Sequence, residues 1–314
     1  MIYAYGITQQ GLYHIKKGLV CQDAHKIIKC GDDIAVAAVA DGLGSEEYSD
    51  VASRLAADLS TEHCANNINP DDTDDKILAI IKDAFEIAQK GIETVAAENK
   101  HELDQYDTTL SLAVLIHDKL YYGHSGDGGI IAMTTEGRFE KITDQQRDAE
   151  GRVFPLYFGE EKWVFSTYPK SVSGILLATD GMFEIFFPIY IRKEKVSTYV
   201  ALAKFFMDPK VLGFETMGEV GVEEKIGKFV SKIPESQVND DKTVVALVNS
   251  EVEYSLQPDD YYAEPDWKVL IQRYEDEWKR QAYPHLFNNK DHAITGENVA
   301  TSCNEIDDIN EVGE

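Results

Sequence analysis

The sequence contains few cysteines and no long apolar run. Its four cysteines are Cys21, Cys30, Cys64 and Cys303, and no two of them form a CxxC pair. Secreted domains held together by disulfides are much denser in cysteine, so we expect this protein in a reducing compartment, the cytoplasm. No segment approaches the roughly 18 apolar residues that a membrane-spanning helix needs, and the first residues lack the layout of a signal peptide. These absences predict a protein without membrane contact.

Basic residues are also scarce. The chain has 30 Lys and Arg residues against 56 Asp and Glu residues, which gives a formal charge of -26. A nucleic-acid-binding protein needs a basic surface for the phosphate backbone, so nucleic acid is not an expected partner. Solubility explains most of these carboxylates, and a minority can bind cations. With 314 residues, of which 43% are hydrophobic, the chain can bury a substantial core.

Short apolar segments alternate with long amphipathic patterns. Buried strands are predicted where β-branched or alanine-rich segments lead into acidic residues beside glycine, at 33–40, 109–117 and 174–179. Alternating apolar residues predict further strands at 2–7, 119–124, 129–134 and 242–248. Helical spacing predicts helices at 49–66, 73–99, 196–207 and 222–232. This order favours an α+β fold in which two packed antiparallel β-sheets are flanked by helices, a four-layer αββα sandwich.

The composition changes after the last predicted strand. We therefore predict two parts, a main domain over residues 1–250 and a C-terminal extension over 251–314. Turn-forming residues at 257–264 indicate a linker, and apolar residues lie on one side of a predicted helix at 266–281. We expect this helix to dock on the same chain and the protein to be a monomer. The polar, acidic tail from residue 287 is expected to be mobile.

Acidic residues recur at the ends of the predicted strands. The positions are Asp23, Asp41, Asp127, Asp180 and Asp240, and glycine adjoins the middle three. A strand end fixes a side chain, and glycine lets the backbone turn and expose a carbonyl, as a hard cation such as Mg²⁺ or Mn²⁺ requires. Any one Asp-Gly pair is most simply an ordinary tight turn. Because two of the pairs follow apolar strands of the buried type, the set together predicts a metal site.

The order of these motifs resembles that of the metal-dependent serine/threonine protein phosphatases of type 2C, in particular their bacterial branch. The matching motifs are Gln22-Asp23-Ala24, Asp41-Gly42, Gly126-Asp127, Thr179-Asp180-Gly181 and Asp240-Asp241, and Asp107-Thr108-Thr109 is similar to the paired threonines of the family. Each motif is short, but five of them in the family's order, within residues 2–250, make a specific match. The family fold, two antiparallel sheets flanked by helices, agrees with the fold that the sequence predicts.

The resemblance implies a role for each residue of a two-metal centre. Asp41 would bridge two Mg²⁺ or Mn²⁺ ions, with the Gly42 carbonyl on one of them. Asp180 and Asp240 would complete the other, and Asp23 would hold metal-bound water. Two such ions about 4 Å apart can activate a bridging water for in-line attack on phosphorus. Catalysis would then depend on Asp41, Asp180 and Asp240, without a protein nucleophile.

A third, weaker metal is also implied, because Asp127 and Glu184 look like the pair that holds it in many family members. The family's phosphate-gripping Arg is missing before Asp23, and the segment 11–18 offers His14 and Lys17 instead. We interpret these two as substrate-binding residues, although the same run also fits a solvated basic loop. Lys presents a point charge, without the two-pronged donor of Arg.

Two further departures concern the turns. Leu43 stands where eukaryotic members have His, and Gly128-Gly129 stands where the family has Ser-Arg. Two functions therefore remain open: metal-dependent hydrolysis of phosphoserine and phosphothreonine in proteins, opposing a Ser/Thr kinase, or a catalytically weak module that binds phosphoproteins. The missing Arg and His favour the module, whereas several retained carboxylates that repel one another favour the enzyme. A scaffold function would depend on the C-terminal helix alone.

Overall fold

The computed structural model describes residues 1–284, which form ten strands and eight α-helices. The strands are β1 (Ile2–Gln9), β2 (Asp23–Cys30), β3 (Ile34–Asp41), β4 (Leu110–Ile116), β5 (Lys119–Ser125), β6 (Gly129–Thr134), β7 (Phe139–Lys141), β8 (Val164–Thr167), β9 (Val172–Ala178) and β10 (Lys242–Asn249). The helices are α1 (Leu12–Lys17), α2 (Ser49–Asn67), α3 (Asp74–Asn99), α4 (Asp180–Phe183), α5 (Val200–Met207), α6 (Pro209–Leu212), α7 (Phe214–Val230) and α8 (Trp267–Ala282). Among these residues, no helix has the length and apolar character needed to cross a bilayer.

The strands form two five-stranded antiparallel sheets. The first sheet has the order β1-β10-β9-β6-β7, and the second has the order β2-β3-β4-β5-β8. Helices α2 and α3 pack on each other and on the second sheet, whereas α5 and α7 pack on the first. An apolar layer between the sheets contains the buried residues Ile2, Ala37, Leu115, Ile130 and Val245. The predicted αββα sandwich is therefore confirmed.

Three strands, β2, β7 and β8, and the three shortest helices, α1, α4 and α6, were not predicted from the sequence. Strand β2 escaped because its side chains are mostly half-buried and charged residues interrupt the apolar pattern. Strands β7 and β8 have three and four residues, and α1 has six, which is too short for periodicity to show. The two helices predicted between 196 and 232 begin at Val200 and Phe214 instead, and the second is interrupted at Gly218, whose φ is 68°.

The chain divides into two compact units, Met1–Pro265 and a second unit that begins at Asp266. Residues 251–265, which the sequence analysis assigned to the C-terminal extension, lie within the first unit. There Ser255 N donates a hydrogen bond to the Thr135 carbonyl at 2.8 Å, beside the turn that joins β6 to β7. The second unit contains α8. The tail predicted to be mobile lies outside the described residues.

Candidate metal centre

Three of the predicted metal ligands converge at one end of the two sheets. Asp41 ends β3, Asp127 lies between β5 and β6, and Asp180 begins α4 directly after β9. Each offers a carboxylate oxygen, and these oxygens lie within 4.8 Å of one another. Because the three residues come from motifs far apart in the sequence, ordinary local turns do not explain why their side chains meet.

The backbone of Asp41 is held by the paired threonines at the start of β4. Asp41 N donates to the Thr109 hydroxyl at 3.0 Å. The Asp41 carbonyl accepts from Thr109 N at 2.8 Å and from the Thr108 hydroxyl at 3.0 Å. Both threonines are buried. These bonds satisfy the backbone at the end of β3 and fix the point from which the Asp41 carboxylate extends.

Gly42, the next residue, has no room for a side chain. A Cβ here would lie 2.5 Å from the Ser49 carbonyl oxygen at the start of α2, a distance that atoms do not tolerate. Gly42 N also donates to the Gln22 carbonyl at 3.0 Å. Glycine therefore lets α2 begin directly beside the acidic cluster and connects the Asp41 turn to the residue that precedes Asp23.

Asp23 lies opposite Asp41 in the antiparallel pairing of β2 with β3. Its buried carboxylate accepts a hydrogen bond from the Thr179 hydroxyl at 2.8 Å and is also bonded by Thr243. The Thr243 hydroxyl in turn lies 2.8 Å from the Thr8 hydroxyl on β1. Thr243 on β10 and Thr179 directly after β9 thus orient a carboxylate on β2 of the second sheet. These hydrogen bonds connect the two sheets at the acidic centre.

Asp240 approaches the cluster from the segment before β10. Its side chain is 54% exposed. Its charge adds to the rise in the pKa of both Asp41 and Asp180, as expected of a nearby carboxylate. The two segments touch at Gly181, where a Cβ would lie 2.6 Å from the Asp241 carbonyl oxygen. A glycine after Asp180 is therefore what allows the Asp240 segment to come so close.

The carboxylates of the acidic centre disfavour one another's ionisation. Burial, with added repulsion from neighbouring carboxylates, raises the pKa of Asp23, Asp41 and Asp180 above their ordinary range. The same causes raise the pKa of Asp127 to about 7, although the charge of Arg147 opposes the rise. A divalent cation stabilises the ionised form of such a cluster by supplying the missing charge. The all-oxygen donor set fits a hard ion such as Mg²⁺ or Mn²⁺.

Asp241 is buried and ties the segment before Asp23 to the segment before β10. Its carboxylate accepts from Gly11 N and from Gln22 N, each at 2.6 Å, and lies 2.9 Å from His14 Nδ1. The sequence predicts that His14 contacts phosphate, but the structure places this ring in the interior, only 4% exposed. Asp241 belongs to a motif visible in the sequence, but its role is not, because it depends on contacts to residues more than 200 positions away.

The other predicted phosphate contact, Lys17, is exposed at the end of α1. Its ammonium group lies 5.8 Å from the centre of the Tyr13 ring. The structure therefore separates two residues that the sequence analysis had paired: His14 is buried against Asp241, and Lys17 faces solvent.

Arg147 occupies the region predicted for a third metal. Its guanidinium nitrogen Nη2 lies 2.7 Å from Asp127 Oδ2, 3.4 Å from Asp180 Oδ2 and 3.4 Å from Glu184 Oε1. The shortest contact is an ion pair that lacks the alignment of a hydrogen bond, although Asp127 Oδ2 is buried. Arg147 belongs to the loop between β7 and β8, and no sequence pattern distinguished it from an ordinary surface residue.

Replacing Arg147 by Ala is expected to tighten the weakest Mn²⁺ site about tenfold, since a cation 3–4 Å from an incoming ion repels it even after solvent screening. Titration calorimetry with Mn²⁺ would measure this affinity. Arg147→Lys retains the charge and should change it less. Arg152→Ala is a matched control in the same loop, because Arg152 pairs instead with Asp148, at 2.7 Å. Equal affinities in Arg147→Ala and the wild type would contradict the expectation.

Comparison with known proteins supplies the family. A family profile described as Protein phosphatase 2C matches residues 10–231. Similar solved structures include the serine/threonine phosphatase Stp1 from Staphylococcus aureus (15% identity, 79% of this chain, 95% of that chain, TM-score 0.52). They also include the Mycobacterium tuberculosis serine/threonine phosphatase PstP/Ppp (16% identity, 79% of this chain, 98% of that chain, TM-score 0.51). A third is the S. agalactiae serine/threonine phosphatase (10% identity, 80% of this chain, 100% of that chain, TM-score 0.53). At these identities the structures show a shared fold. No curated protein sequence matches this chain significantly.

The two-sheet fold and its acidic centre fit the class of metal-dependent hydrolases. The profile match covers more than half of the sequence, and the chain therefore belongs to the protein phosphatase 2C family, the metal-dependent serine/threonine protein phosphatases. The resemblance predicted from the order of the aspartate motifs is confirmed. The alternative of a catalytically weak binding module is not favoured.

Proposed function

We propose that the centre binds two Mg²⁺ or Mn²⁺ ions and removes phosphate from phosphoserine and phosphothreonine in proteins, with water as the nucleophile. The observation that supports this most is the convergence of Asp41, Asp127 and Asp180, whose carboxylate oxygens lie within 4.8 Å of one another. Divalent ions bound there would activate the water and offset the charge on the phosphoryl oxygens. A protein nucleophile is not required.

We assign the roles of the chain's own residues from their positions. Asp41 would be the ligand shared by the two ions, with the Gly42 carbonyl on one of them, because the threonines of β4 and the start of α2 fix this turn. Asp180 and Asp240 would hold one ion from the other side. Asp23 would orient the water through its buried carboxylate, which hydroxyl groups hold in one direction.

The remaining predicted residues would act around these ions. Asp127 and Glu184 would hold a third ion once Arg147 moves away from them. Lys17 would contact the substrate phosphate as an exposed cation. For His14, the distances of 2.9 Å to Asp241 and 3.6 Å to Asp240 support a positioning role for the ring instead of direct phosphate contact.

We extend the proposal to the substrate, the opposing kinase and the cellular compartment. The substrate would be a phosphorylated protein, and the enzyme would oppose a Ser/Thr kinase that produces it. We propose that the chain acts as a monomer in the cytoplasm, away from membranes and nucleic acid. The free thiols of Cys21, Cys30 and Cys64 support a reducing compartment, and the charge of -26 argues against nucleic acid.

The test is metal-dependent hydrolysis by the full chain. After dialysis against EDTA, the protein should hydrolyse p-nitrophenyl phosphate and a phosphothreonine peptide only when Mn²⁺ or Mg²⁺ is returned. A phosphotyrosine peptide of the same sequence serves as the specificity control. Calorimetric titration with each ion would give the number of ions and the preferred metal. Turnover that persists in EDTA would rule out the proposed mechanism.

A further inference from the structure

Helix α1 buries its polar residue and exposes its apolar ones. Across Leu12–Lys17 the one buried side chain is His14. The exposed apolar residues of this helix and the two positions after Gly18 are Leu12 (40% exposed), Tyr13 (47%), Ile15 (54%), Leu19 (40%) and Val20 (59%). These five residues form what we call the apolar platform. A surface helix normally turns its apolar side chains inward, so this arrangement is inverted.

The inversion has an identifiable cause. His14 points inward because its ring lies 2.9 Å from the buried Asp241 carboxylate, and its neighbours on the helix must then face solvent. Single exposed apolar residues are ordinary on a protein surface, whereas five within nine positions concentrate apolar surface in one short stretch of chain, as interaction sites do. The contact between His14 and Asp241 therefore presents apolar groups to solvent in a fixed place.

The apolar platform is fixed to both metal-ligating segments. Ahead of it, Gly11 N donates to Asp241 at 2.6 Å, and within it Tyr13 N donates to the Asn239 carbonyl at 3.0 Å. After it, Gln22 N donates to Asp241 at 2.6 Å, and the next residue is Asp23. Because Tyr13 bonds to the residue before Asp240 and a polypeptide advances about 3.3 Å per extended residue, a substrate whose phosphorylated residue lies at Asp240 would bring its neighbouring residues to this surface.

The charge beside the apolar platform differs from that of the whole chain. Lys16 and Lys17 lie within this stretch of a protein whose net charge is -26. Lys16 pairs with Glu235 at 2.6 Å, whereas Lys17 lies beside the Tyr13 ring. An occupant with apolar side chains and a phosphate group matches this combination of apolar and basic residues.

We propose that the apolar platform binds the apolar side chains that flank the phosphorylated Ser or Thr of a protein substrate. The inference rests on the proposed phosphatase function and adds a substrate class to it, namely phosphorylated segments with Leu, Ile, Val or Phe near the modified residue. The apolar platform would then select among substrates after the metal centre has defined the reaction.

The test compares substrates that reach the apolar platform with one that does not. In the double variant Ile15→Ser/Val20→Ser, kcat/KM for a phosphothreonine peptide flanked by Leu and Phe should fall about tenfold, mainly through KM. Activity on p-nitrophenyl phosphate should be unchanged. A peptide flanked by Ser and Gly should be hydrolysed equally by variant and wild type. Val220→Ser, which removes a residue 75% exposed on α7, is the matched control, and Ile15→Leu/Val20→Ile should retain full activity.

Three results would overturn the proposal. An equal fall in kcat/KM on all substrates would mean that the apolar platform maintains the structure of the metal centre and does not bind substrate. Unchanged activity on the apolar peptide would mean that it does not contact substrate. A lower molecular mass of the double variant by light scattering would mean that a second copy of this chain covers it. If the wild type hydrolyses no phosphate ester, the proposed function fails; binding of a labelled apolar phosphopeptide, followed by fluorescence anisotropy in EDTA, then still tests the apolar platform.

Discussion

Replacing Asp41 by Asn is expected to lower kcat on a phosphothreonine peptide at least ~100-fold, a loss typical of removing one strongly stabilising charge from an active site. Asp41 lies between Asp23, Asp127 and Asp180, and its charge interacts with all of them. The amide has a similar shape but carries no negative charge, so Mn²⁺ binding measured by calorimetry should weaken together with kcat. Asp144→Asn is the matched control, because that carboxylate is 89% exposed and pairs with Lys141.

The same variant, Asp41→Asn, should be more stable than the wild type when no metal is present. Burial and neighbouring carboxylates raise the pKa of Asp41 in the folded protein, so the folded state keeps a proton that the unfolded state releases above about pH 4. Stability of the metal-free wild type therefore falls as the pH rises above that value, and Asn removes this contribution. Metal-free Asp41→Asn should thus unfold at a higher temperature than the wild type near neutral pH, and the two should converge near pH 4.

Adding Mn²⁺ should reverse that order, because the wild type gains the binding energy of the ion and the variant gains less. Thermal unfolding at several pH values, with EDTA and then with Mn²⁺, would measure both effects. A metal-free variant that is less stable than the wild type at neutral pH would show that Asp41 has a structural role in place of the role assigned to it.

Replacing Asp241 by Ala is expected to lower the free energy of unfolding by about 4 kcal/mol, the scale for removing one member of a buried polar network. The change leaves two buried backbone donors, Gly11 N and Gln22 N, without an acceptor and His14 Nδ1 without its partner. Denaturation in urea would measure the loss. Metal affinity should fall as well, because the segment before Asp23 is no longer tied to the segment before β10 that contains Asp240.

Two further variants separate this network from the general effect of losing a charge. Asp241→Asn retains one acceptor oxygen and should show an intermediate loss of stability. Asp71→Ala, in the exposed loop between α2 and α3, should leave the free energy of unfolding almost unchanged. Equal stability of Asp241→Ala and Asp71→Ala would show that the buried carboxylate does not hold the site together.

The fold was predictable where burial is complete. Strands β3, β4 and β9 are buried along nearly all their residues and appear in the sequence as continuous apolar segments. Helix α3 was predictable for a different reason, because its 26 residues repeat the apolar spacing over many turns and Thr73 caps its start. The half-buried β2 and the inverted α1 were not predictable, because the burial of their side chains depends on contacts with residues distant in the sequence.

The site was predictable only as a set of candidate ligands. Glycine beside Asp41 and Asp180 could be recognised in the sequence, and the structure shows that a side chain at Gly42 or Gly181 would meet backbone atoms. The buried position of His14 could not be recognised, since it depends on a carboxylate 227 residues away. The placement of Arg147 against three acids depends in the same way on the path of a loop.

The pairing of the first strand with the last fixes the order in which the centre can assemble. Strand β1 pairs with β10 along its whole length, and Asp240 and Asp241 directly precede β10. During synthesis at the ribosome, the segment around Asp23 is therefore made long before the carboxylate that holds it in place. A nascent chain that lacks β10 has most of its acidic ligands but no assembled site. Metal binding should therefore begin only when the domain is complete, not when its early motifs have been synthesised.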